Sequence, residues 1–208
     1  MTPARFLVLD GPDGSGKSTQ ALRLVAALRA RGVPTLHLRD PGSTPLAEGV
    51  RRLLLDPATG ELTAATEVLL FSACRAELVA RQIQPALARG ETVVCERFVS
   101  STLVYQGLGR QVPQDWIRAL HERAVGGLHP DRVVLLDVDA ATARSRCQER
   151  QRRDRFEERG VAFQELVRAG FRALADAEPE RHRLVDARGS LDQVAAQVLA
   201  AVGDLFRP

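Results

Sequence analysis

The fold of this chain is decided by the stretch Gly11-Pro12-Asp13-Gly14-Ser15-Gly16-Lys17-Ser18-Thr19. A short apolar run, Phe6 to Leu9, precedes this stretch and predicts a buried strand. Apolar residues at helical spacing follow it, at Ala21, Leu24, Val25 and Leu28. A strand, a glycine-rich loop and a helix in this order are typical of a P-loop, so we predict that residues 11–19 hold a polyphosphate.

The spacing of residues inside the loop fits this chemistry. Glycines allow successive backbone N–H groups to converge on an anion, and the N-terminus of the following helix adds a positive dipole. Lys17 is expected to reach the outer phosphates, and Ser18 to place its hydroxyl on an accompanying Mg²⁺. Of the 29 Lys and Arg residues, all but Lys17 are arginine, which indicates that this position requires a compact ammonium.

Length and composition favour a single α/β domain over residues 1–208. A chain of 208 residues with 45% hydrophobic residues can bury a substantial core without metals or disulfides. The net charge of +3 is mild. It fits anionic ligands but does not require a nucleic-acid partner.

The cysteines and the lengths of the apolar stretches indicate in which cellular compartment the protein is expected. Cys74, Cys95 and Cys147 form no C-x-x-C pair, and an odd, scattered set favours reduced thiols over disulfides or a zinc site. The first predicted strand follows Met1 closely, which leaves no room for a signal peptide, and no apolar stretch is long enough to cross a bilayer. We therefore expect a cytoplasmic protein without a membrane partner.

Strand and helix patterns alternate along the chain. Further strands are predicted at Val33 to Leu38, Thr92 to Cys95, Val133 to Val138 and Arg183 to Asp186. Further helices are predicted at Leu46 to Leu54, Thr66 to Leu87, Val112 to Leu128, from about Ala140, Val161 to Ala177 and Val194 to Leu205. Thr44 caps the first of these helices. The alternation predicts an α/β fold with a five-stranded parallel sheet flanked by helices on both faces, the three-layer P-loop NTPase architecture.

Charged residues end two of these strands. Arg39 ends the second strand, and Glu96 with Arg97 ends the third. Open α/β sheets bind ligands at this edge, although Arg39 fits an ordinary surface arginine equally well. A carboxylate at the position of Glu96 can hold a water of the Mg²⁺ shell, and Arg97 can clamp an accepting phosphate.

Phe71 and Arg75 are four residues apart and share one helix face. An aromatic ring and a guanidinium one turn apart can bind a nucleobase between them. The alternative is that Phe71 belongs to the core and Arg75 is solvated.

Three further interpretations concern the second half of the chain. The inward residues of the helix from Val112 are predicted to be Trp116, Ile117, Leu120 and Ala124. His121 and His129 have no neighbouring ligand pattern in the sequence, so we interpret them as structural. Asp137 and Asp139 are interpreted as caps of the helix that begins near Ala140.

The segment from Arg144 to Arg159 is crowded with charged residues. It can be a solvated helix face, a nucleic-acid patch, or a mobile lid whose arginines close over a triphosphate. Interleaved Glu and Asp residues argue against the nucleic-acid patch, because they would neutralise it. We expect a short arginine-rich lid over about residues 144–159.

With these motifs in place, the chain resembles the bacterial thymidylate kinases, which are P-loop nucleoside monophosphate kinases, over nearly its full length. The matching segments are residues 11–19, 39–48, 70–77, 96–107 and 154–157. The resemblance implies phosphoryl transfer from ATP, with Mg²⁺, to thymidine 5′-monophosphate (dTMP), giving dTDP and ADP. It also implies a homodimer formed by helices packed side by side, with ATP and dTMP as small-molecule partners and no nucleic acid.

The resemblance assigns roles by position. The expected ATP-binding residues are Gly11, Pro12, Asp13, Gly14, Ser15, Gly16, Lys17, Ser18, Thr19 and Arg146. The expected dTMP-binding residues are Asp13, Arg39, Phe71, Arg75, Arg97, Ser101, Thr102, Tyr105 and Gln106. The expected metal-binding residues are Ser18 and Glu96, and the expected catalytic residues are Lys17, Arg97, Arg150 and Arg155.

Within the acceptor site, Arg39 and Arg97 resemble the phosphate clamps, Phe71 resembles the platform under thymine, and Arg75 resembles the donor to a thymine carbonyl. Thr102 resembles a base-edge contact, and Tyr105 with Asp13 is expected against the sugar.

In this family a basic residue meets the transferring phosphoryl group from the P-loop or from the lid. Because the P-loop has Gly14 in place of an arginine, the chain resembles the lid type, which points to Arg146, Arg150 and Arg155.

Three other functions compete with this assignment. The nearest alternative is a kinase for adenylate, cytidylate or guanylate. The combination of Phe71, Arg75 and Tyr105 favours thymidylate over these substrates. A regulatory GTPase is disfavoured because the chain contains no asparagine and so lacks the Asn-Lys-x-Asp guanine-binding motif. The third is a nucleic-acid-dependent ATPase that uses the arginine-rich segment.

Overall fold

The computed structural model describes residues 3–148 and 160–206. Within these ranges, five parallel strands form one sheet in the order β2-β3-β1-β4-β5. The strands are β1 Phe6–Asp10, β2 Thr35–Arg39, β3 Thr92–Glu96, β4 Arg132–Asp137 and β5 His182–Asp186. The predicted α/β fold with a five-stranded parallel sheet is therefore confirmed.

Helices flank this sheet. The α-helices are α1 Lys17–Ala30, α2 Pro45–Leu55, α3 Ala64–Leu78, α4 Gln84–Ala88, α5 Val99–Thr102, α6 Gln114–Val125, α7 Ala140–Gln148, α8 Val161–Ala177 and α9 Leu191–Val202. Short 3-10 turns occupy Pro57–Thr59 and Gly203–Phe206, and π-helical turns occupy Val79–Ile83 and Leu103–Leu108. No helix in the described part of the chain has the length and apolar character that crossing a bilayer requires.

The central strand β1 shows why helices are needed on both faces. All five of its residues are buried, and successive side chains point to opposite faces of the sheet. Phe6 and Val8 pack in an apolar cluster with Phe171 of α8, whereas Leu7 and Leu9 pack in a second cluster with residues of α1 and α9. A strand buried on both faces is typical of a parallel sheet.

The strand order gathers polar residues at one edge. β1 lies between β3 and β4, with Leu9 opposite Glu96 and Asp10 opposite Leu135. The carboxyl ends of these strands meet, which brings the loop after β1 beside Glu96 and Arg97. Ligands of open α/β sheets bind at such an edge.

The predicted helix from Thr66 to Leu87 is continuous in the structure, but it is not a regular α-helix throughout. α3 begins at Ala64, and the π-helical turn Val79–Ile83 separates it from α4. Pro85 in the first turn of α4 has no N–H, and its ring clashes with a carbonyl four residues earlier in a regular helix. A widened turn before Pro85 relieves that clash.

The predicted inward face of α6 is wrong at Trp116, which is 38% exposed. The buried residues of this helix are Ile117, His121 and Val125. Their spacing of four residues defines the inward face, and Trp116 lies beside it.

The predicted caps of α7 are half right. Asp139 accepts a hydrogen bond from the backbone N–H of Thr142 at 2.8 Å and caps the helix. Asp137 instead accepts from Arg168 Nε and Nη2 at 2.7 and 2.9 Å, and from Arg172 at 2.9 Å. It therefore ties β4 to α8 and is not a cap.

Candidate active site

The P-loop joins β1 to α1, which begins at Lys17 directly after Gly16. Gly14 has a φ of 79°, in the left-handed region that favours glycine. A Cβ at Gly14 would also lie 2.2 Å from the carbonyl oxygen of Ala143 in α7. The helix that leads into the predicted lid therefore rests directly on the P-loop backbone.

Lys17 is folded back over its own loop. Its Nζ donates to the carbonyl oxygens of Gly11 at 3.1 Å and Pro12 at 2.8 Å, and it lies 3.9 Å from Asp13 Oδ1. Burial lowers the pKa of Lys17 to about 8, and the positive charge of Arg97 acts in the same direction. The ammonium is held in the concave loop, where a phosphate chain can replace the two carbonyl oxygens as its acceptor.

Ser18 and Glu96 form a pair of oxygen donors at the start of α1. Ser18 Oγ donates to Glu96 Oε2, and His37 Nε2 donates to Glu96 Oε1 at 2.9 Å. Burial opposes ionisation of Glu96, but the hydrogen bonds from His37 and Ser18 outweigh it and lower the pKa of the carboxyl. A hydroxyl beside an ionised carboxylate is a donor set that Mg²⁺ accepts, so these two residues fit the metal site predicted for them.

Arg97 connects the strand end to the P-loop. Its Nη1 donates to Ser101 Oγ at 2.8 Å, and its Nη2 donates to Asp13. Burial opposes the charged form of Arg97, but Asp13, Tyr105 and Asp10 together outweigh burial and raise the pKa of the guanidinium. Arg97 is therefore a permanent positive charge beside the phosphate loop.

Asp13 is shared between the P-loop and the segment after β3. Besides accepting from Arg97, it accepts from the Tyr105 hydroxyl at 2.9 Å. Burial and the Asp13 charge raise the pKa of Tyr105 well above its ordinary value, so the phenol remains a neutral donor. The Arg97 guanidinium also lies 5.4 Å from the centre of the Tyr105 ring.

A cleft opens next to this network. Concave sites lined by aromatic rings and a few polar groups are typical of small-molecule binding. The cleft is lined by Asp13, Asp40, Pro41, Arg51, Leu55, Phe71, Arg75, Arg97, Phe98, Ser101, Thr102, Tyr105 and Gln106. Aromatic rings and arginines thus face the same space, as recognition of an anionic ligand with a flat ring requires.

Arg75 is only 2% exposed, so the interpretation of Arg75 as a solvated residue is wrong. Its Nε donates to Asp40 Oδ2 at 2.7 Å and its Nη2 donates to Thr102 Oγ1 at 3.0 Å. The guanidinium also lies 5.2 Å from the centre of the Phe98 ring. These contacts hold one orientation of Arg75 in the wall of the cleft.

Gln106 is positioned by a buried carboxylate. Its Nε2 donates to Glu67 Oε2 at 3.0 Å, and Arg110 Nη1 donates to Glu67 Oε1 at 3.2 Å. Because the amide nitrogen of Gln106 donates to Glu67, and Arg110 holds Glu67, these two residues fix the orientation of the Gln106 side chain in the cleft wall.

The structure brings most of the expected dTMP-binding residues together in the cleft, but not all of them. Arg39 does not line it, and donates to Glu48 at 2.7 Å from an exposed position.

The arginines expected at ATP and in the lid are only partly described. Arg146 donates to the carbonyl oxygen of Ala187 at 3.0 Å. Arg150 and Arg155 lie outside the described residues, so the structure says nothing of their roles.

Three residues of the site have no role in the sequence interpretation. Asp40 and Arg51 line the cleft, and His37 binds the Glu96 carboxylate. Arg51 carried a usable signal, because it is four residues after Ala47 and three before Leu54, both of them buried. The sequence around Asp40 and His37 has no feature that distinguishes these two residues from ordinary loop and strand residues.

The comparison with known proteins accounts for this arrangement. A family model described as thymidylate kinase matches residues 9–198. The chain belongs to the thymidylate kinase family. The resemblance seen in the sequence is thereby confirmed, and the chain is an enzyme that phosphorylates dTMP to dTDP with ATP.

Individual relatives of the thymidylate kinase family match over nearly their full length. The thymidylate kinase of Deinococcus radiodurans is 44% identical over 204 residues, which are 98% of each chain. That of Pseudomonas syringae pv. tomato is 48% identical over 193 residues, covering 93% of this chain and 92% of the relative. A crystal structure of thymidylate kinase from Ehrlichia chaffeensis has a TM-score of 0.79 at 29% identity, covering 97% of this chain and 99% of the other.

Proposed function

We propose that the cleft is the dTMP site of this kinase and that the P-loop holds ATP beside it. The observation that carries the proposal is that Phe71, Arg75, Arg97 and Tyr105 line one cleft, with Asp13 of the P-loop among them. An acceptor bound there has its phosphate next to the loop that holds the donor. In-line transfer between two phosphates requires this proximity.

The thymine ring is assigned to the space between Phe71 and Arg75. A flat ring gains stacking energy on an aromatic side chain. Arg75 is held by Asp40 and Thr102, so its guanidinium is pre-oriented toward a base carbonyl and loses little freedom on binding.

The dTMP phosphate is assigned to Arg97, with Arg51 as a further cation that lines the same cleft. Positive groups fixed before the reaction stabilise the charge that develops on the transferring group. Lys17 supplies the same stabilisation to the outer phosphates of ATP. Arg39 can bind the dTMP phosphate only if its ion pair with Glu48 is broken.

We assign Ser18 and Glu96 to Mg²⁺, on the basis of their paired oxygen donors. When bound, Mg²⁺ neutralises charge on the ATP phosphates. His37 keeps the Glu96 carboxylate ionised and oriented.

The lid is assigned the arginines that reach the transferring phosphoryl group, Arg150 and Arg155, with Arg146 at the nucleotide. The support is indirect and comes from Gly14, where Ala143 leaves no space for any side chain. The P-loop therefore cannot supply an arginine from this position, and α7, the helix that precedes the lid in the sequence, contacts the loop.

A homodimer is proposed from the resemblance, with α2 and α3 as the contact surface. These neighbouring helices expose Leu46, Leu53 and Leu69, each more than half exposed. Exposed apolar groups on adjacent helices are typical of an interface. Sedimentation analysis of the purified chain tests the proposal, and a monomer at micromolar concentration would contradict it.

A cytoplasmic location is proposed on the state of the thiols. Cys74, Cys95 and Cys147 are all buried, and none of them is joined in a disulfide. Reduced cysteines fit a reducing compartment.

The assignment of the cleft is tested by a panel of nucleoside monophosphates with ATP and Mg²⁺ in a coupled ADP-release assay. We expect dTMP to give the highest kcat/KM, with AMP, GMP and CMP at least about 100-fold lower, because a pocket shaped for one base leaves polar groups unpaired with another. Comparable rates with a purine monophosphate would exclude the cleft geometry proposed here.

Replacing Phe71 with alanine is expected to raise the KM for dTMP by roughly 5- to 150-fold, the equivalent of a base–aromatic stack of about 1 to 3 kcal/mol. Steady-state kinetics at saturating ATP measures the effect. Leu22→Ala, which shortens an exposed apolar side chain on α1, is the matched control and should leave KM unchanged. If Phe71→Ala lowers only the melting temperature, Phe71 is a core residue and the stacking assignment fails.

The lowered pKa of Lys17 predicts a pH dependence. The ammonium binds phosphate and the neutral amine does not, so kcat/KM for ATP should fall as pH rises through about 8. The profile is measured at saturating dTMP, with circular dichroism to confirm that the fold persists. A flat profile up to about pH 10, the range of an ordinary lysine, would show that Lys17 is not desolvated as described.

A further inference from the structure

A second cavity lies away from the catalytic edge of the sheet. It opens near the amino ends of β4 and β5, and its lining includes residues of α6 and α8. Two buried histidines, His121 and His182, line it. None of the residues assigned to ATP or dTMP lines this cavity, so the kinase reaction leaves its chemistry unexplained.

The sequence shows no ligand pattern around His121 and His129, but the fold brings their side chains and that of Glu122 together. Ligand atoms of His121, Glu122 and His129 all lie within 4.8 Å of one another. His129 Nε2 lies 3.1 Å from Glu122 Oε1. Two imidazoles and a carboxylate that converge in this way match the donor set of many zinc sites.

His121 points to a missing ligand in its own right. It is 3% exposed, and neither of its ring nitrogens has a hydrogen-bond partner in the structure. Leaving a buried polar atom without a partner is unfavourable, and a bound ligand would remove that cost. The edge-to-face contact with Phe98, at 5.2 Å between ring centres, fixes the imidazole in the cavity wall.

The surrounding charge does not exclude a cation. Arg118 and Arg181 both face the cavity, and each is paired with Glu178, at 3.8 and 3.2 Å respectively. The two positive charges are thus offset by Glu178 and Glu122, and His182 adds a buried imidazole whose Nδ1 has no partner.

We infer that His121, Glu122 and His129 form a binding site for a divalent transition metal ion of the zinc class. Nitrogen ligands favour such an ion over Mg²⁺, which prefers oxygen. In a tetrahedral site with metal–nitrogen distances of about 2.0 Å, ligand atoms lie about 3.3 Å apart. The side chains of His129 and Glu122, 39% and 48% exposed, can close the remaining gap, with water as the fourth ligand.

The test is a Zn²⁺ titration of metal-free protein by calorimetry, with saturating Mg²⁺ present to occupy the site at Ser18 and Glu96. We expect one Zn²⁺ per chain. His129→Ala should weaken binding at least about tenfold, because one of three protein ligands is lost. The matched control His37→Gln removes the histidine beside Glu96 and should bind Zn²⁺ as the parent chain does.

Co²⁺ gives an independent readout, because four-coordinate Co²⁺ absorbs visible light far more strongly than six-coordinate Co²⁺. The parent chain should develop this absorption, and Glu122→Gln, a substitution at an exposed side chain, should reduce it. Melting curves of each variant establish that the fold is retained. The inference is overturned if no Zn²⁺ binds in excess Mg²⁺, or if His129→Ala binds Zn²⁺ as tightly as the parent chain. Loss of binding in His37→Gln would likewise overturn it, because the ion would then be at the site beside Glu96.

Discussion

Replacing Lys17 with methionine is expected to lower kcat by about 10³-fold or more, because a pre-positioned charge on the transferring phosphoryl group is lost. Methionine has a similar length and lacks the ammonium that Gly11 and Pro12 hold inside the loop. The chain has no second lysine that could take over the role. Steady-state ADP release with dTMP as acceptor measures the effect.

Two further variants make the Lys17 result specific. Lys17→Arg keeps a positive charge but introduces a planar group that the tight loop does not fit, so it should remain at least about tenfold below the parent chain. Arg31→Met removes an exposed cation at the end of α1 and should have full activity. A fully active Lys17→Met protein would remove Lys17 from the mechanism.

The second large effect concerns stability. Arg75→Ala should lower the free energy of unfolding by about 3 to 5 kcal/mol, because it leaves the buried Asp40 carboxylate without its partner. Both side chains of this ion pair are at most 2% exposed. For a chain of this size the melting temperature should fall by about 10 °C, measured by thermal and urea denaturation.

The matched control is Arg39→Ala, which breaks an exposed ion pair with Glu48 and should cost at most about 1 kcal/mol. Adding Asp40→Asn to Arg75→Ala should recover part of the lost stability, because the unpaired charge is then gone. If Arg75→Ala and Arg39→Ala destabilise the protein equally, the Arg75–Asp40 pair is not the buried contact described.

The sequence predicted best those features that depend on residues close together in the chain. The P-loop, the strand before it and the polar strand ends could be predicted because each depends on neighbouring residues, and Glu96 and Arg97 lie at the predicted edge of the sheet. The pairing of Ser18 with Glu96 followed from the parallel topology, since it joins the loop after β1 to the end of β3.

Other features depend on contacts that no local pattern encodes. Asp137 resembles a helix cap in the sequence, but Arg168 lies 31 residues later and takes it as a partner. The His121 cluster joins α6 to a residue beyond its end, and the sequence does not show that the chain turns back there. The π-helical turn before Pro85 arises from backbone crowding, which apolar periodicity does not register.

The contact between Gly14 and Ala143 restricts how this enzyme can be altered. A side chain at position 14 would meet the carbonyl oxygen of Ala143 and would also require the φ of 79° that glycine tolerates. Position 14 can therefore accept a side chain only if α7 is moved or rebuilt at the same time. The sequence of the phosphate loop and the placement of this helix constrain each other, and a single substitution at position 14 cannot change one without the other.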